Sequence, residues 1–236
     1  MTGSIFSIFR KPRNPAAGGE RAFARNALLA FTLFACAALG GCQDKATWHA
    51  TDLTGSALPR LDFTMTRADD GKPVTEADYK GKVVLLYFGY TFCPDVCPLT
   101  LANTVQVLQK LGKSADDVRV LFVTVDPGRD SLSVLKQYTD AFAPQIDGLR
   151  GTADELATLA KRYRVAYSVK ASANAADYTV THSSAVYVFD RQGNIRLLFS
   201  TLHENDPDID GYAADLKRLL EAGEKPGLFA WLDSFV

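Results

Sequence analysis

The chain has 236 residues, which is enough for one domain with a sizeable core and short for two. Its hydrophobic fraction of 47% and charged fraction of 22% are ordinary for a globular protein. The net charge of −1, with no basic stripe beyond the first 25 residues, argues against binding to nucleic acid. Residues 1–41 are basic, so the remaining chain is mildly acidic and has no charge-driven attraction to anionic lipid.

The N-terminal segment has the order of a secretory signal. A basic stretch ending at Arg25 precedes an apolar run at 27–39, and small residues follow. Residues 39–42 (LGGC) resemble a bacterial lipobox, which implies cleavage before Cys42 and lipid attachment to its thiol. The alternative is that residues 1–41 remain as an uncleaved membrane anchor. Both interpretations predict a domain at a membrane and outside the cytoplasm, facing the bacterial periplasm.

The four cysteines divide into two groups. Cys36 lies in the apolar run and Cys42 is the predicted lipid site, which leaves Cys93 and Cys97 for the folded domain. Two cysteines in an oxidising compartment usually form a disulfide bond. The question is whether that bond is structural or redox-active.

Residues 42–60 are polar and without a clear period, and we expect a tether there, with His49 solvated. A folded domain is expected at 61–236. The pattern predicts strands at 61–66, 83–88, 118–125, 185–190 and 195–199, an uncertain edge strand at 165–170, and helices at 99–111, 132–142 after Asp130 or Ser131, 153–163, and from Asp208 or Asp210 to Leu220. This order predicts an α/β fold with a mixed central sheet and helices on both faces.

The motif Cys93-Pro94-Asp95-Val96-Cys97-Pro98 lies between a buried strand and a helix. A helix N-terminus exposes unpaired N–H groups and the positive end of the dipole, and both favour a thiolate. Cys93 and Cys97 would face the same way if the turn between them is helical. A plain structural disulfide would close a very short loop and gain little stability, so a redox or metal-binding pair is the better interpretation.

Two thiolates make an incomplete copper or zinc site, and an imidazole is the natural third ligand. The chain has three histidines. His182 lies just before the predicted strand at 185–190, and in a sheet of this type that position lies against the cysteine turn. A surface or hydrogen-bonded loop histidine is the alternative for His182. His203 is expected to be solvated.

Three segments resemble the SCO/SenC family of copper chaperones for cytochrome c oxidase: residues 87–98, 123–130 and 181–184. The resemblance covers roughly residues 60–223. It implies a thioredoxin-like fold that binds Cu(I) or Cu(II) through Cys93, Cys97 and His182. It also implies delivery of copper to the dicopper centre of the oxidase, or reduction of the cysteines there. The expected partner is the copper-bearing oxidase subunit or another periplasmic copper protein. The lipobox-like start differs from the simple membrane helix that many members carry.

Two acidic residues lie near this motif. Asp126 ends a predicted strand near the cysteine turn, where active sites gather. Asp126 either acts on the site without binding the metal directly, by tuning it or by contacting a partner protein, or it only shapes the turn with Pro127. Both interpretations, the functional and the structural, stay open. Asp95, between the cysteines, is expected to be solvated.

The first function predicted is copper transfer rather than catalytic turnover. The runner-up is an enzyme, a thiol–disulfide oxidoreductase acting on the cysteines of a partner protein. Two features favour metal binding over thiol–disulfide exchange. Three residues separate Cys93 from Cys97, and a histidine stands where thioredoxins place a cis-proline. A peroxidase or redox sensor is a third, weaker alternative.

Overall fold

The computed structural model describes residues 47–170 and 178–224. The predicted signal or anchor at 1–41 and the predicted lipid site Cys42 lie outside the described residues. Within the described part, no helix combines the length and apolar character needed to cross a membrane.

The described residues form ten strands and four α-helices. The strands are β1 (Thr51–Asp52), β2 (Thr64–Arg67), β3 (Pro73–Thr75), β4 (Val83–Gly89), β5 (Val118–Thr124), β6 (Ile146–Arg150), β7 (Tyr167–Lys170), β8 (Thr179–His182), β9 (Val186–Phe189) and β10 (Ile195–Phe199). The α-helices are α1 (Val96–Leu111), α2 (Leu132–Asp140), α3 (Ala153–Arg162) and α4 (Ile209–Glu224). Two short 3-10 helices lie at Glu76–Tyr79 and Gly112–Asp117.

The central sheet has eight strands in the order β1-β10-β9-β4-β5-β6-β2-β3. The neighbours β4, β5 and β6 are parallel, whereas β9 runs antiparallel to β4. Every residue of β4 is buried, so both faces of the sheet centre are covered. The predicted mixed sheet is confirmed.

Side-chain caps decide where two helices begin. Of the two candidates before α2, Ser131 is the cap, because its hydroxyl accepts from the Val134 backbone N–H at 3.3 Å. Asp208 begins α4 by accepting from the Gly211 N–H at 2.9 Å. Each oxygen satisfies an N–H group that the first helical turn leaves without a partner.

The structure adds strands that the sequence pattern does not predict. Strand β6 is short and contains Gly148, where an added Cβ would lie 2.7 Å from Leu135 Cγ on α2. The close packing of α2 therefore requires a glycine, and the glycine weakens the strand pattern. The predicted edge strand at 165–170 is β7, and it pairs with β8 in a separate two-stranded sheet.

The predicted tether differs from the structure in the part described, residues 47–60. Strand β1 lies there and pairs with β10. The carboxylate of Asp215 on α4 is buried and accepts from the backbone N–H groups of His49 at 3.3 Å and Ala50 at 2.8 Å. The packed domain thus includes residues before 61, because a partner far along the chain binds their backbone.

We expect Asp215→Ala to lower the free energy of unfolding by about 2 kcal/mol, because it leaves two backbone N–H groups without an acceptor. Chemical denaturation and amide hydrogen exchange at Ala50 would measure this. Asp210→Ala is the control, since the Asp210 side chain is 80% exposed in an ion pair with Lys110. Unchanged exchange at Ala50 in Asp215→Ala would contradict the role of this carboxylate.

Candidate metal centre

Both cysteines lie at the connection from β4 to α1. Cys97 is in the first turn of α1 and is fully buried, whereas Cys93 precedes the helix and is partly exposed. Neither cysteine is part of a disulfide bond in this structure. Helix α1 begins at Val96, three residues before the predicted start.

The sulfur of Cys93 caps this helix. It accepts a hydrogen bond from the Cys97 backbone N–H at 3.4 Å. Asp95 occupies the N-cap position, is exposed and makes no side-chain capping bond, which agrees with the expectation that it is solvated. The turn before Val96 is not helical, so capping rather than helical spacing brings the two cysteines together.

A buried carboxylate holds the residues that lead into the cysteine loop. Asp130 has no exposed surface. It accepts from the Thr91 N–H at 3.1 Å, from the Thr91 hydroxyl at 2.5 Å and from the Thr124 hydroxyl at 2.5 Å. These three bonds tie the loop to the end of β5, so the backbone two residues before Cys93 has a fixed position.

His182 is the last residue of β8, rather than part of a loop, and its ring reaches the cysteines. Its Nε2 lies 3.2 Å from the Cys97 sulfur, and its Nδ1 lies 2.8 Å from the carbonyl oxygen of Ser183. A carbonyl oxygen only accepts, so Nδ1 carries the proton in the neutral ring. Nε2 therefore presents its lone pair toward the sulfur, as a metal-binding imidazole requires.

Two tyrosine rings orient the imidazole. The Tyr90 ring lies edge-on at 5.8 Å between centroids, and the Tyr87 ring lies edge-on at 6.1 Å. The ligand atoms of Cys93, Cys97 and His182 all lie within 4.8 Å of one another. Two soft sulfur ligands and one imidazole nitrogen suit copper, and this group is positioned to hold a copper ion.

The two thiols have opposite acid strengths. The hydrogen bond from the Cys97 thiol is the largest cause that lowers the pKa of Cys93, to about 3, and bonds from backbone N–H groups add to it. The thiolate at Cys93 and the burial of Cys97 raise the pKa of Cys97. The reduced, metal-free pair is therefore a thiolate at Cys93 beside a protonated thiol at Cys97.

Asp126 contacts this site indirectly. Its buried carboxylate accepts from the Nε of Arg129 and from the hydroxyl of Tyr178. The Arg129 guanidinium lies 3.8 Å from the ring centroid of Tyr178, 5.1 Å from that of Phe92 and 5.8 Å from that of Tyr90.

The backbone carbonyl of Asp126 also accepts from the N–H groups of Arg129 and Asp130, at 3.2 Å and 3.0 Å. The residue thus shapes the turn after β5 and also holds an arginine against the aromatic rings beside the cysteine loop. Arg129, Asp130 and Tyr87 were not among the predicted site residues, although all three lie within the segments that resemble the SCO/SenC family.

The other two histidines lie outside the group of metal-ligating atoms. His203 Nδ1 is 3.1 Å from the hydroxyl of Ser184. His49 Nδ1 is 3.0 Å from Asp208, and its side chain is 51% exposed. Neither histidine belongs to the site, but the expectation that His203 is solvated is wrong, because its half-buried ring is hydrogen-bonded to Ser184.

Comparison with known proteins gives a consistent family match. The family model described as SCO1/SenC matches residues 52–221. The mouse mitochondrial protein SCO2 homolog is 35% identical, over 92% of this chain and 88% of its own length. Protein SenC of Rhodobacter capsulatus is 32% identical over 74% of this chain and 77% of its own length. SCO1 homolog 1 of Arabidopsis thaliana is 35% identical over 66% of this chain, and the match spans 46% of that protein, about half of its length.

Solved structures show the same fold. Bradyrhizobium japonicum ScoI with copper bound is 39% identical and superposes with a TM-score of 0.61, over 68% of this chain and 98% of that one. Yeast Sco1 with copper bound is 33% identical, with a TM-score of 0.60 over 74% of this chain and 98% of that one. These matches confirm both the predicted thioredoxin-like fold and the resemblance to the SCO/SenC family. The chain belongs to the SCO1/SenC family.

Proposed function

We propose that this protein is a copper chaperone that binds copper through Cys93, Cys97 and His182. The observation that carries the proposal is the lone pair of His182 Nε2, which faces the Cys97 sulfur at 3.2 Å because Nδ1 is bonded to a carbonyl oxygen. Two solved relatives, from Bradyrhizobium japonicum and yeast, are described with copper bound.

The unequal exposure of the two sulfurs suits transfer of the metal. Cys97 is fully buried, while Cys93 is partly exposed, so an incoming partner ligand can reach copper from the side of Cys93. Exchange of one ligand at a time moves copper without releasing it to water. Both cysteines must be reduced to bind, so oxidation to a disulfide would prevent loading.

The proposed recipient is the dicopper centre of cytochrome c oxidase, or the cysteines of that centre before copper arrives. The family resemblance of residues 87–98, 123–130 and 181–184 supports this recipient. Another periplasmic copper protein is the alternative partner. A structural relative is described as a member of the Sco family of cytochrome c oxidase assembly proteins.

The proposed location is the periplasmic face of a membrane, with lipid on Cys42 as the anchor. The support is the order of basic, apolar and small residues in 1–42. A structural relative from Bacillus anthracis is described as a SCO1/SenC family lipoprotein. An uncleaved N-terminal helix is the alternative anchor.

We expect His182→Ala to weaken Cu(I) binding by about a hundredfold, because it removes the nitrogen ligand. The Cys93–Cys97 disulfide should still form, since neither sulfur is changed. Competition with a Cu(I) chelator would measure the affinity. The control is His203→Ala, which removes an imidazole outside the group. Equal affinity in the wild type and His182→Ala would overturn the assignment of this ligand.

A second candidate function, thiol–disulfide exchange, is favoured by the acid strengths of the cysteines. The Cys93 thiolate would attack a partner disulfide, forming a mixed disulfide and releasing one partner thiolate. The Cys97 sulfur, after losing its proton, would then attack Cys93 and release the second partner thiolate. The partner is reduced and the Cys93–Cys97 pair is oxidised. The two functions are compatible, because reduced oxidase cysteines are those that can accept copper.

We expect iodoacetamide to alkylate Cys93 at a rate that is constant from about pH 5 to about pH 8, because the thiolate persists above its lowered pKa of about 3. Cys97, a buried thiol with a raised pKa, should remain unmodified in the folded protein. Mass spectrometry of quenched samples would measure both. In Cys97→Ala the main stabilising hydrogen bond is lost, so the rate should become dependent on pH. A wild-type rate that rises tenfold per pH unit would contradict the thiolate assignment.

A further inference from the structure

The hairpin that carries His182 stands apart from the central sheet. In the described part of the chain, β7 and β8 pair with each other alone, in a two-stranded sheet. His182 lies opposite Tyr167 of the same hairpin, so this pairing does not fix the imidazole relative to the cysteines. A two-stranded hairpin is only marginally stable by itself. The position of the imidazole therefore depends on contacts between the hairpin and the rest of the domain.

Tyr178 makes three such contacts at the start of β8, four residues before His182. Its hydroxyl donates to the buried carboxylate of Asp126. Its backbone carbonyl accepts from Nη1 of Arg129 at 3.2 Å, and the Arg129 guanidinium lies over its ring, 3.8 Å from the centroid. Val180 in β8 is buried as well, but apolar packing sets no direction, whereas hydrogen bonds do.

The turn after β5, to which Tyr178 is bound, also contacts the cysteine loop. Asp130 accepts from the Thr91 N–H at 3.1 Å and from the Thr91 hydroxyl at 2.5 Å. The Arg129 guanidinium lies 5.1 Å from the ring centroid of Phe92, the residue directly before Cys93. One turn therefore supports both the loop that supplies the sulfur ligands and the strand that supplies the imidazole.

We infer that Tyr178 is a positioning residue, whose hydrogen bond to Asp126 holds the His182 imidazole beside the cysteine sulfurs. The acceptor is a buried carboxylate in an ion pair with Arg129, and hydrogen bonds to such charged groups are stronger than those between neutral groups. The four residues from Tyr178 to His182 span only about 13 Å of extended strand, so a shift at one end is carried to the other.

This inference rests on the proposed copper-binding function and adds to it a residue that does not bind the metal. It makes a specific demand on energetics. If the Tyr178 hydroxyl acts on copper only through the imidazole, its effect on affinity must disappear when the imidazole is removed. A hydroxyl that supports the cysteine loop or the whole fold would keep its effect without the imidazole.

The test is Tyr178→Phe in the full chain, made both in the wild type and in His182→Ala. The substitution keeps the ring under the Arg129 guanidinium and removes only the hydroxyl. We expect chelator competition to show a Cu(I) affinity about tenfold weaker in Tyr178→Phe than in the wild type, as for other groups that orient a metal ligand. In the His182→Ala background, the same substitution should leave the affinity unchanged.

Tyr79→Phe is the matched control. The Tyr79 hydroxyl also donates to a carboxylate, that of Asp147, at 2.8 Å. Tyr79 lies in the 3-10 helix before β4, whereas the cysteine loop follows that strand. Both substitutions remove a bond from a phenol to a carboxylate, so both should lower the urea midpoint of the metal-free protein. We expect Tyr178→Phe to lower Cu(I) affinity and Tyr79→Phe to leave it at the wild-type value.

Four results would count against the inference. Wild-type affinity in Tyr178→Phe, with weak binding in His182→Ala, overturns it and leaves the proposed function intact. A tenfold loss in both backgrounds overturns it, because the hydroxyl would then act on the cysteines. An equal loss in Tyr79→Phe overturns it as an effect of stability alone. A wild type that binds no Cu(I), or wild-type affinity in His182→Ala, overturns the proposed function and the inference together.

Discussion

The N-terminus of α1 leaves backbone N–H groups that need an acceptor, and the sulfur of Cys93 supplies one at 3.4 Å from the Cys97 nitrogen. A carboxylate at Asp95 could have done so but points into solvent. The helix end consequently stabilises negative charge on sulfur, together with the Cys97 thiol. The same contact holds the Cys93 sulfur beside the Cys97 thiol, and the hydrogen bond from that thiol is the largest cause that lowers the pKa of Cys93. The readiness of the pair for a soft metal and its reactivity toward disulfides depend on this arrangement of the two sulfurs.

The contact is maintained by groups that lie outside the motif. The buried Asp130 carboxylate holds Thr91 and thereby the start of the cysteine loop. Tyr87 and Tyr90 hold the imidazole ring of His182. The supporting groups come from β4, from the residues just after it and from the turn after β5, while His182 comes from β8. The site therefore exists only in the folded domain.

Sequence alone predicts the centre of this fold better than its edges. Uninterrupted apolar runs predict β4 and β5, because strands buried on both faces carry almost no polar residues. Strands β1 and β8 have no such pattern, since their pairing is decided by distant partners, β10 and β7. The sequence predicts a tether for the first residues of the domain, because nothing nearby in the chain indicates the Asp215 carboxylate that binds them.

The site divides in the same way. The structure brings Cys93, Cys97 and His182 together as predicted. These three could be predicted because cysteine and histidine are metal-ligating residue types that a sequence shows directly. The sequence indicates Asp126 as a candidate, but its position does not show that it acts through Arg129, which its carboxylate binds. The sequence does not mark Tyr87 and Asp130 as site residues, because a tyrosine in an apolar strand and an aspartate before a helix have ordinary structural explanations.

The most direct test of the account is X-ray absorption spectroscopy at the copper K edge of the Cu(I)-loaded protein. The account predicts one copper ion per chain with two sulfur ligands and one imidazole nitrogen, and with the imidazole scattering absent after loss of His182. A copper ion bound by two sulfurs without imidazole, or by nitrogen and oxygen ligands alone, would contradict it.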